Sequence, residues 1–235
     1  MLIWEGAPGV RLPYFMICKT NTMIRLSKHH FWEWFKRHHK EFTDLNKKPK
    51  KEVAYWLSEL NAHLRAYFKF FEYSLALEDK QPSILTVTVK GRAVHFKKVE
   101  SFVAIAPEMP GWKTSALEDP MPIDFFLGKL IIDTGIHPRE LYFSFTSDAT
   151  GCQAIKVYHP LCTKENKNCI LQLANGALYN LLGERTYGME IGWLEATNLS
   201  YADPDDVYKL EELPAFIDAR KSSVIVDGSG RLVGV

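Results

Sequence analysis

The chain has 235 residues, 46% of them hydrophobic and 24% charged, which excludes intrinsic disorder as its main state. Its formal net charge of +1 gives no overall attraction to nucleic acid or to an anionic membrane. No apolar run approaches the roughly 20 residues that a helix needs to cross a bilayer, and the first residues make a poor signal peptide. We therefore expect a cytoplasmic protein, and its four cysteines are too few for a secreted disulfide scaffold.

The first 22 residues contain two glycines and two prolines and show neither helical nor strand periodicity. We interpret residues 1–22 as an extended arm or leader, and residues 23–235 as a single α+β body. An alternative interpretation is that Met23 is the natural first residue of the protein.

Two amphipathic helices are predicted after the arm. The first runs from Lys28 to Asp44 and follows Ser27, a residue type that commonly caps helix N-termini. Its apolar side chains recur at helical spacing and form one stripe: Phe31, Trp34, Phe35, His38 and Phe42. Pro49 ends this pattern, and the second helix is predicted from about Lys51 to Leu64.

A strand–strand–helix–strand pattern then occurs twice. The first copy has a hairpin with strands at residues 66–77 and 84–89, a helix at 94–106 and a strand after Gly111 and Trp112. In the return strand of the hairpin, Leu85, Val87 and Val89 alternate with other residues, which predicts one buried face. The second copy has strands at residues 141–146 and 155–159, a helix at 169–182 and a strand at 186–196. The spacing of its apolar side chains predicts that this helix buries six residues: Ile170, Leu173, Ala174, Ala177, Leu178 and Leu181. We predict an α+β fold, with an antiparallel-rich sheet from two ββαβ (ferredoxin-like) units and the N-terminal helices packed against it. The repeat halves span about 66–118 and 127–197.

Three further elements are predicted around and after the second copy. They are a strand at residues 127–133, a short helix at 210–220 and a terminal hairpin at 224–233.

No metal, cofactor or catalytic residue is assigned from the sequence. Four histidines flank the centre of the first helix, but none is four residues from another, as a shared zinc ion would require: His29, His30, His38 and His39. His159, Cys162 and Cys169 could contribute to a metal site or to a Cys–His nucleophile, yet no Cys-x-x-Cys motif accompanies them. No phosphate-binding loop or catalytic signature motif is present.

Four carboxylates near the middle of the chain are the obvious candidates for acid–base chemistry: Glu118, Asp119, Asp124 and Asp133. We predict that they form no catalytic pair, because Pro120 and Pro122 make this segment a loop whose side chains are solvated. The segment is interpreted as a surface crossover between the two halves.

The charges are unevenly distributed along the chain. Basic residues gather between Lys28 and Lys51, and acidic residues gather between Glu184 and Asp218. A basic surface interleaved with Trp32 and Trp34 would suit RNA or an acidic partner. We favour the alternative, two solvated faces that partly neutralise each other, because the core needs the aromatic residues.

Four short motifs follow one another in a recognisable order: FWEWF at 31–35, APEMPGW at 106–112, HPRELYF at 137–143 and ELPAFI at 212–217. With them the chain resembles a family of uncharacterised bacterial proteins that has a Trp-rich first helix, an A-P-x-x-x-G-W turn and a late L-P-x-F-I helix. The resemblance covers roughly residues 23–219. The motifs are packing and turn features, so the resemblance implies no activity and no catalytic residue.

Three functions are carried forward as hypotheses. The leading one is a non-catalytic cytoplasmic protein that acts by binding another macromolecule, which we expect to be a protein. The second is an RNA-binding regulator that uses the surface from Lys28 to Lys51. The third is an enzyme with an unfamiliar site near strand ends, for which the candidate residues are Asp133, His137, Arg139 and His159.

Overall fold

A computed structural model describes residues 2–5, 27–77, 82–125, 135–146, 153–222, 225–226 and 232–233. The chain divides into two compact units, Met1–Glu118 and Asp119–Val235, each with its own hydrophobic core. The boundary falls at the end of the first predicted repeat half. The sequence led us to expect one body over residues 23–235, and how the two units are joined stays a prediction.

The first unit combines a mixed sheet with three helices in the described part of the chain. Its elements are β1 (Leu2–Glu5), α1 (Lys28–Thr43), α2 (Lys50–Tyr67), β2 (Glu72–Leu77), β3 (Ser83–Thr88), α3 (Phe96–Val103) and β4 (Trp112–Ala116). The strand order is β1-β2-β3-β4, with the first two pairings antiparallel and the third parallel. The first residues of the predicted arm therefore form an edge strand, and residues 6–22 lie outside the described part.

Helix α1 begins and ends close to its predicted residues, and Ser27 is its N-cap, as predicted. Its buried face differs from the prediction at three positions. Trp34 and His38 are half-buried, whereas Trp32 is 2% exposed and its indole Nε1 donates to the Phe102 carbonyl at 2.8 Å. The buried stripe is broader than predicted because α3 packs beside Trp32 as well.

Aromatic rings from three elements form the centre of the first core. The Phe31 and Phe35 rings stack with centroids 6.1 Å apart, and the Phe102 ring of α3 lies 5.1 Å from those of Phe31 and Trp32. Phe35 also meets Trp112 of β4 edge-on at 5.3 Å. These ring contacts attach α1 to α3 and to the sheet.

The predicted strand at 66–77 is wrong over its first six residues. Helix α2 continues to Tyr67, the Phe68 N–H donates to the Leu64 carbonyl, and β2 begins only at Glu72. Phe71 is fully buried in the turn between helix and strand. Aromatic residues favour strands because a sheet surface buries their rings, and here the turn buries the Phe71 ring instead.

The hairpin of β2 and β3 was predicted correctly. Leu75 pairs with Leu85 and Tyr73 with Val87, and all four side chains are buried on one face of the sheet. This alternation is the period of two that a sheet with one buried face imposes. The connecting residues 78–81 lie outside the described part.

Burial of Tyr73 makes the first unit sensitive to alkaline pH. Its hydroxyl donates to the Leu57 carbonyl at 3.0 Å, and burial raises its pKa from 10.0 to about 12. The folded state therefore holds this proton more tightly than the unfolded state, and the resulting stabilisation is complete below pH 10 and lost as the pH rises towards 12. We expect the stability advantage of the natural protein over Tyr73→Phe to shrink across that interval in denaturant titrations, and a constant difference would contradict this.

Among the described residues, the second unit contains a second mixed sheet and two helices of ten residues or more, besides the helical residues 123–125. Its elements are β5 (Tyr142–Thr146), β6 (Gln153–His159), α4 (Lys167–Glu190), β7 (Ile191–Asn198), β8 (Tyr208–Lys209) and α5 (Leu213–Ser222), followed by the hairpin β9 (Ile225–Val226) and β10 (Leu232–Val233). The strand order is β7-β6-β5-β8, with β6 and β7 parallel and the other pairings antiparallel. The late helix and the terminal hairpin were both predicted, whereas the predicted strand at 127–133 lies outside the described residues.

Helix α4 packs on the second sheet through the face that the sequence predicted. All six predicted residues are buried: Ile170, Leu173, Ala174, Ala177, Leu178 and Leu181. The helix is interrupted at Gly183, whose φ of 70° and ψ of 161° lie in a region that essentially only glycine adopts. The buried face ends near this break.

The predicted strand at 186–196 is wrong over its first five residues, because the chain resumes a helix after Gly183 and β7 begins at Ile191. The Tyr187 ring lies 5.4 Å from the Tyr179 ring, and its hydroxyl donates to the Asn175 side chain. These contacts hold the second helical segment against the first. They explain why the β-favouring composition of this stretch does not decide its structure.

The two units share one connectivity. In each, an antiparallel hairpin is followed by a helix and then by a strand that pairs in parallel with the second hairpin strand. The α+β class is thus as predicted. The ferredoxin-like duplication is not confirmed, since the sheets are mixed and each unit has its own. In the described part of the chain, no helix has the length and apolarity needed to cross a membrane.

Candidate functional site

The structure brings three of the four enzyme candidates into one cluster in the second unit. His159 ends β6 and is 1% exposed, and its Nδ1 accepts the Leu161 N–H at 3.1 Å. Its Nε2 lies 3.4 Å from Oε2 of Glu140, in a single turn that also contains His137 and Arg139. Asp133, the fourth candidate, lies outside the described residues.

The polar groups of this cluster are engaged with one another. The Arg139 guanidinium is 2.6 Å from Asp124 and 3.3 Å from Glu211. The backbone N–H of Arg139 donates to Nδ1 of His137. Because Nδ1 of His159 accepts a backbone N–H, the proton of a neutral ring is on Nε2 and is directed at Glu140. The contact between His159 and Glu140 attaches the turn to the end of β6, so the histidine has a structural role here.

The cysteine beside the cluster is poorly suited to nucleophilic attack. Cys162 is buried, and burial raises the pKa of its thiol against a smaller opposing effect of Lys167. A thiol rather than a thiolate is therefore favoured at neutral pH. Cys169 is half-buried at the start of α4, and Cys152 lies outside the described part.

The four central carboxylates have different surroundings. Glu118, in the first unit, accepts from Nζ of Lys90 at 3.0 and 3.2 Å. Asp124 pairs with Arg139, and both residues belong to the second unit. Asp119 is exposed, and Asp133 lies outside the described residues.

The histidines of α1 have different surroundings and do not form one group. The His38 ring lies between Trp34 and Trp56, at 5.5 and 5.4 Å between centroids, whereas His29 and His30 are exposed. Within the described residues, no three histidine, cysteine, aspartate or glutamate side chains are grouped as a metal ion would need.

The basic segment of the first unit is partly neutralised by neighbouring acids. Lys48 pairs with Glu41 at 2.8 Å and with Glu52, and hydrogen bonds to these two carboxylates raise its pKa. Lys47 pairs with Asp44 at 2.8 Å. Fewer cations are therefore available to an RNA backbone than the sequence suggests.

Strand β7 is the longest edge strand in the described part of the chain. It has eight residues, against five in β4, four in β1 and two in β8. It pairs with β6 on one side, and no described strand pairs with its other side. An edge of this kind presents a row of backbone N–H and C=O groups to any strand that approaches it.

Trp193 lies on this edge strand, and 55% of its surface is exposed. Leu194 contributes to the second core, so Trp193 points to the opposite face of the sheet. The register between β6 and β7 shifts by one residue, which leaves Gly192 as an extra residue directly before Trp193. Bulges of this type redirect neighbouring side chains and occur often at sheet edges.

Sequence reasoning missed this site because Trp193 lay inside a predicted strand that was taken to begin at residue 186. The signal that could have identified it is the glycine directly before a tryptophan in an alternating run. Comparison of the chain with protein families, curated proteins and solved structures gives no match.

Proposed function

We propose that the protein is a non-catalytic binding protein whose partner is another protein, and that the partner contacts the outer edge of β7. The observation that carries this proposal is the eight-residue edge strand with a half-exposed tryptophan on it. No catalytic constellation in the described residues competes with it, because the one clustered set of candidates is engaged internally.

Strand addition accounts for both parts of this edge. An extended segment of the partner pairs with the backbone of β7, which supplies affinity with little dependence on sequence. Trp193 supplies the specific contact, since tryptophan is among the residues most enriched at energetic centres of protein interfaces. Gly192, directly before Trp193, has no side chain that an approaching strand would have to avoid.

Replacing Trp193 by alanine is expected to weaken partner binding by about 30-fold or more, the equivalent of about 2 kcal/mol for a hot-spot residue. The matched control is Tyr55→Ala, because Tyr55 is an aromatic residue with the same 55% exposure on α2. Both variants are compared with the natural chain by affinity capture from extracts of the native cells, with quantitative mass spectrometry. The proposal would be contradicted if all three proteins captured equal amounts of the partner, or if both variants lost it equally.

The contacts of two tryptophans weaken the RNA-binding alternative. It needs Trp32 and Trp34 as stacking surfaces, but Trp32 is buried and the Trp34 ring stacks on His63 with centroids 3.8 Å apart. The enzyme alternative stays a hypothesis without an assigned nucleophile or acid–base pair.

Three finer statements belong with this proposal. The shared hairpin–helix–strand connectivity supports an origin by internal duplication of a ββαβ unit, of which the ferredoxin-like form is one version. A cytoplasmic location is consistent with the low cysteine content. Membership of the bacterial family with the Trp-rich first helix stays a hypothesis that rests on the four motifs.

A further inference from the structure

Aromatic and cationic side chains from two turns meet at one end of the first unit. One turn connects α2 to β2, and the other leads from β3 into α3. The rings of Phe70 and His95 are stacked with centroids 5.0 Å apart, and Phe68 meets His95 edge-on at 5.0 Å. We call the set the aromatic–cationic surface: Phe68, Lys69, Phe70, Arg92, His95 and Lys98.

Three cations of this surface lie over its two phenylalanine rings. Nζ of Lys98 is 4.0 Å from the centroid of Phe68, and Nζ of Lys69 is 4.8 Å from that of Phe70. The Arg92 guanidinium is 5.5 Å from Phe70. Cation–π attraction holds such groups in place, so their positions are organised before any ligand arrives.

The positive charge of this surface is only partly compensated. Glu72 lies 3.7 Å from Arg92, but no described carboxylate is within 4.0 Å of Nζ of Lys69 or Lys98. All three cationic side chains are exposed. Like charges held close together repel one another, and a negatively charged ligand relieves that cost.

We propose that the aromatic–cationic surface binds an acidic segment of a protein partner, through salt bridges from its carboxylates to Lys69, Arg92 and Lys98. An acidic peptide fits better than RNA because the ring faces already carry ammonium, guanidinium or imidazole groups. Base stacking on Phe68 or Phe70 would have to displace them. This surface belongs to the first unit and β7 to the second, so the two proposals fail or succeed separately.

The test uses the full chain and a fluorescein-labelled ten-residue peptide with six Asp or Glu residues, followed by fluorescence anisotropy. A peptide with Asn and Gln at those positions and a ten-nucleotide uridine RNA are the comparison probes. We expect the acidic peptide to bind, with an affinity that falls as salt rises, and the other two probes to bind at least fivefold more weakly.

The variant K69Q/K98Q is expected to weaken binding of the acidic peptide at least fivefold. K36Q/K40Q removes the same charge from exposed positions on α1 and is expected to change it less than twofold. Circular dichroism checks that both variants fold, and Trp193→Ala is expected to bind this peptide normally. Equal loss in both double variants, tighter binding of the RNA, or no binding at about 1 mM peptide would overturn the proposal.

Discussion

Replacing Phe35 by alanine is expected to lower the free energy of unfolding by about 3–5 kcal/mol, the range for a large aromatic side chain in a packed core. Phe35 is fully buried and contacts the rings of Phe31, Trp32, Phe42 and Trp112. Truncation leaves a cavity that these rings cannot fill without losing their contacts to α3 and the sheet. In a unit of this size we expect the melting temperature to fall by more than about 10 °C.

Two matched substitutions set the scale for this loss. Trp34→Ala should cost less than Phe35→Ala, because Trp34 is half-buried, and Tyr55→Ala should cost less than about 1 kcal/mol at an exposed position. Denaturant titrations of the three variants give the order directly. A loss below 1 kcal/mol for Phe35→Ala, or a larger loss for Tyr55→Ala, would contradict the assignment of α1 to the core.

Replacing Gly183 by alanine is expected to destabilise the second unit by about 1–3 kcal/mol, because a side chain there must adopt a backbone conformation that favours glycine. Gly188 gives the matched control, since it lies in the helical segment that follows the break. Gly188→Ala should leave stability unchanged or raise it by up to about 1 kcal/mol through helix propensity. Unfolding curves that show the same sign for both substitutions would argue against the break at Gly183.

Element types could be predicted from the sequence wherever one strong pattern was present. The helix α1, the six buried residues of α4 and the alternation in β3 each match the structure, because burial on one face imposes a fixed period. The boundaries at residues 66–71 and 186–190 could not be predicted. There, contacts between residues distant along the chain decide the structure of segments whose composition favours strands.

The candidate site was harder to predict than the fold. Trp32 looked available for binding because it is off the predicted stripe, yet a second helix covers it and accepts its N–H. Trp193 looked like an ordinary strand residue, since only the strand order shows that β7 is at an edge. The aromatic–cationic surface joins residues more than 20 positions apart, which no local pattern in the sequence brings together.

The central claim, that a partner protein docks on β7, is tested most directly by site-specific crosslinking in the native cells. A photoreactive phenylalanine analogue is placed at Trp193 in one version of the chain and at Tyr55 in another, two positions with the same 55% exposure. We expect irradiation to join a discrete partner protein to position 193 and none to position 55. No adduct at position 193, or the same adducts at both positions, would contradict the claim.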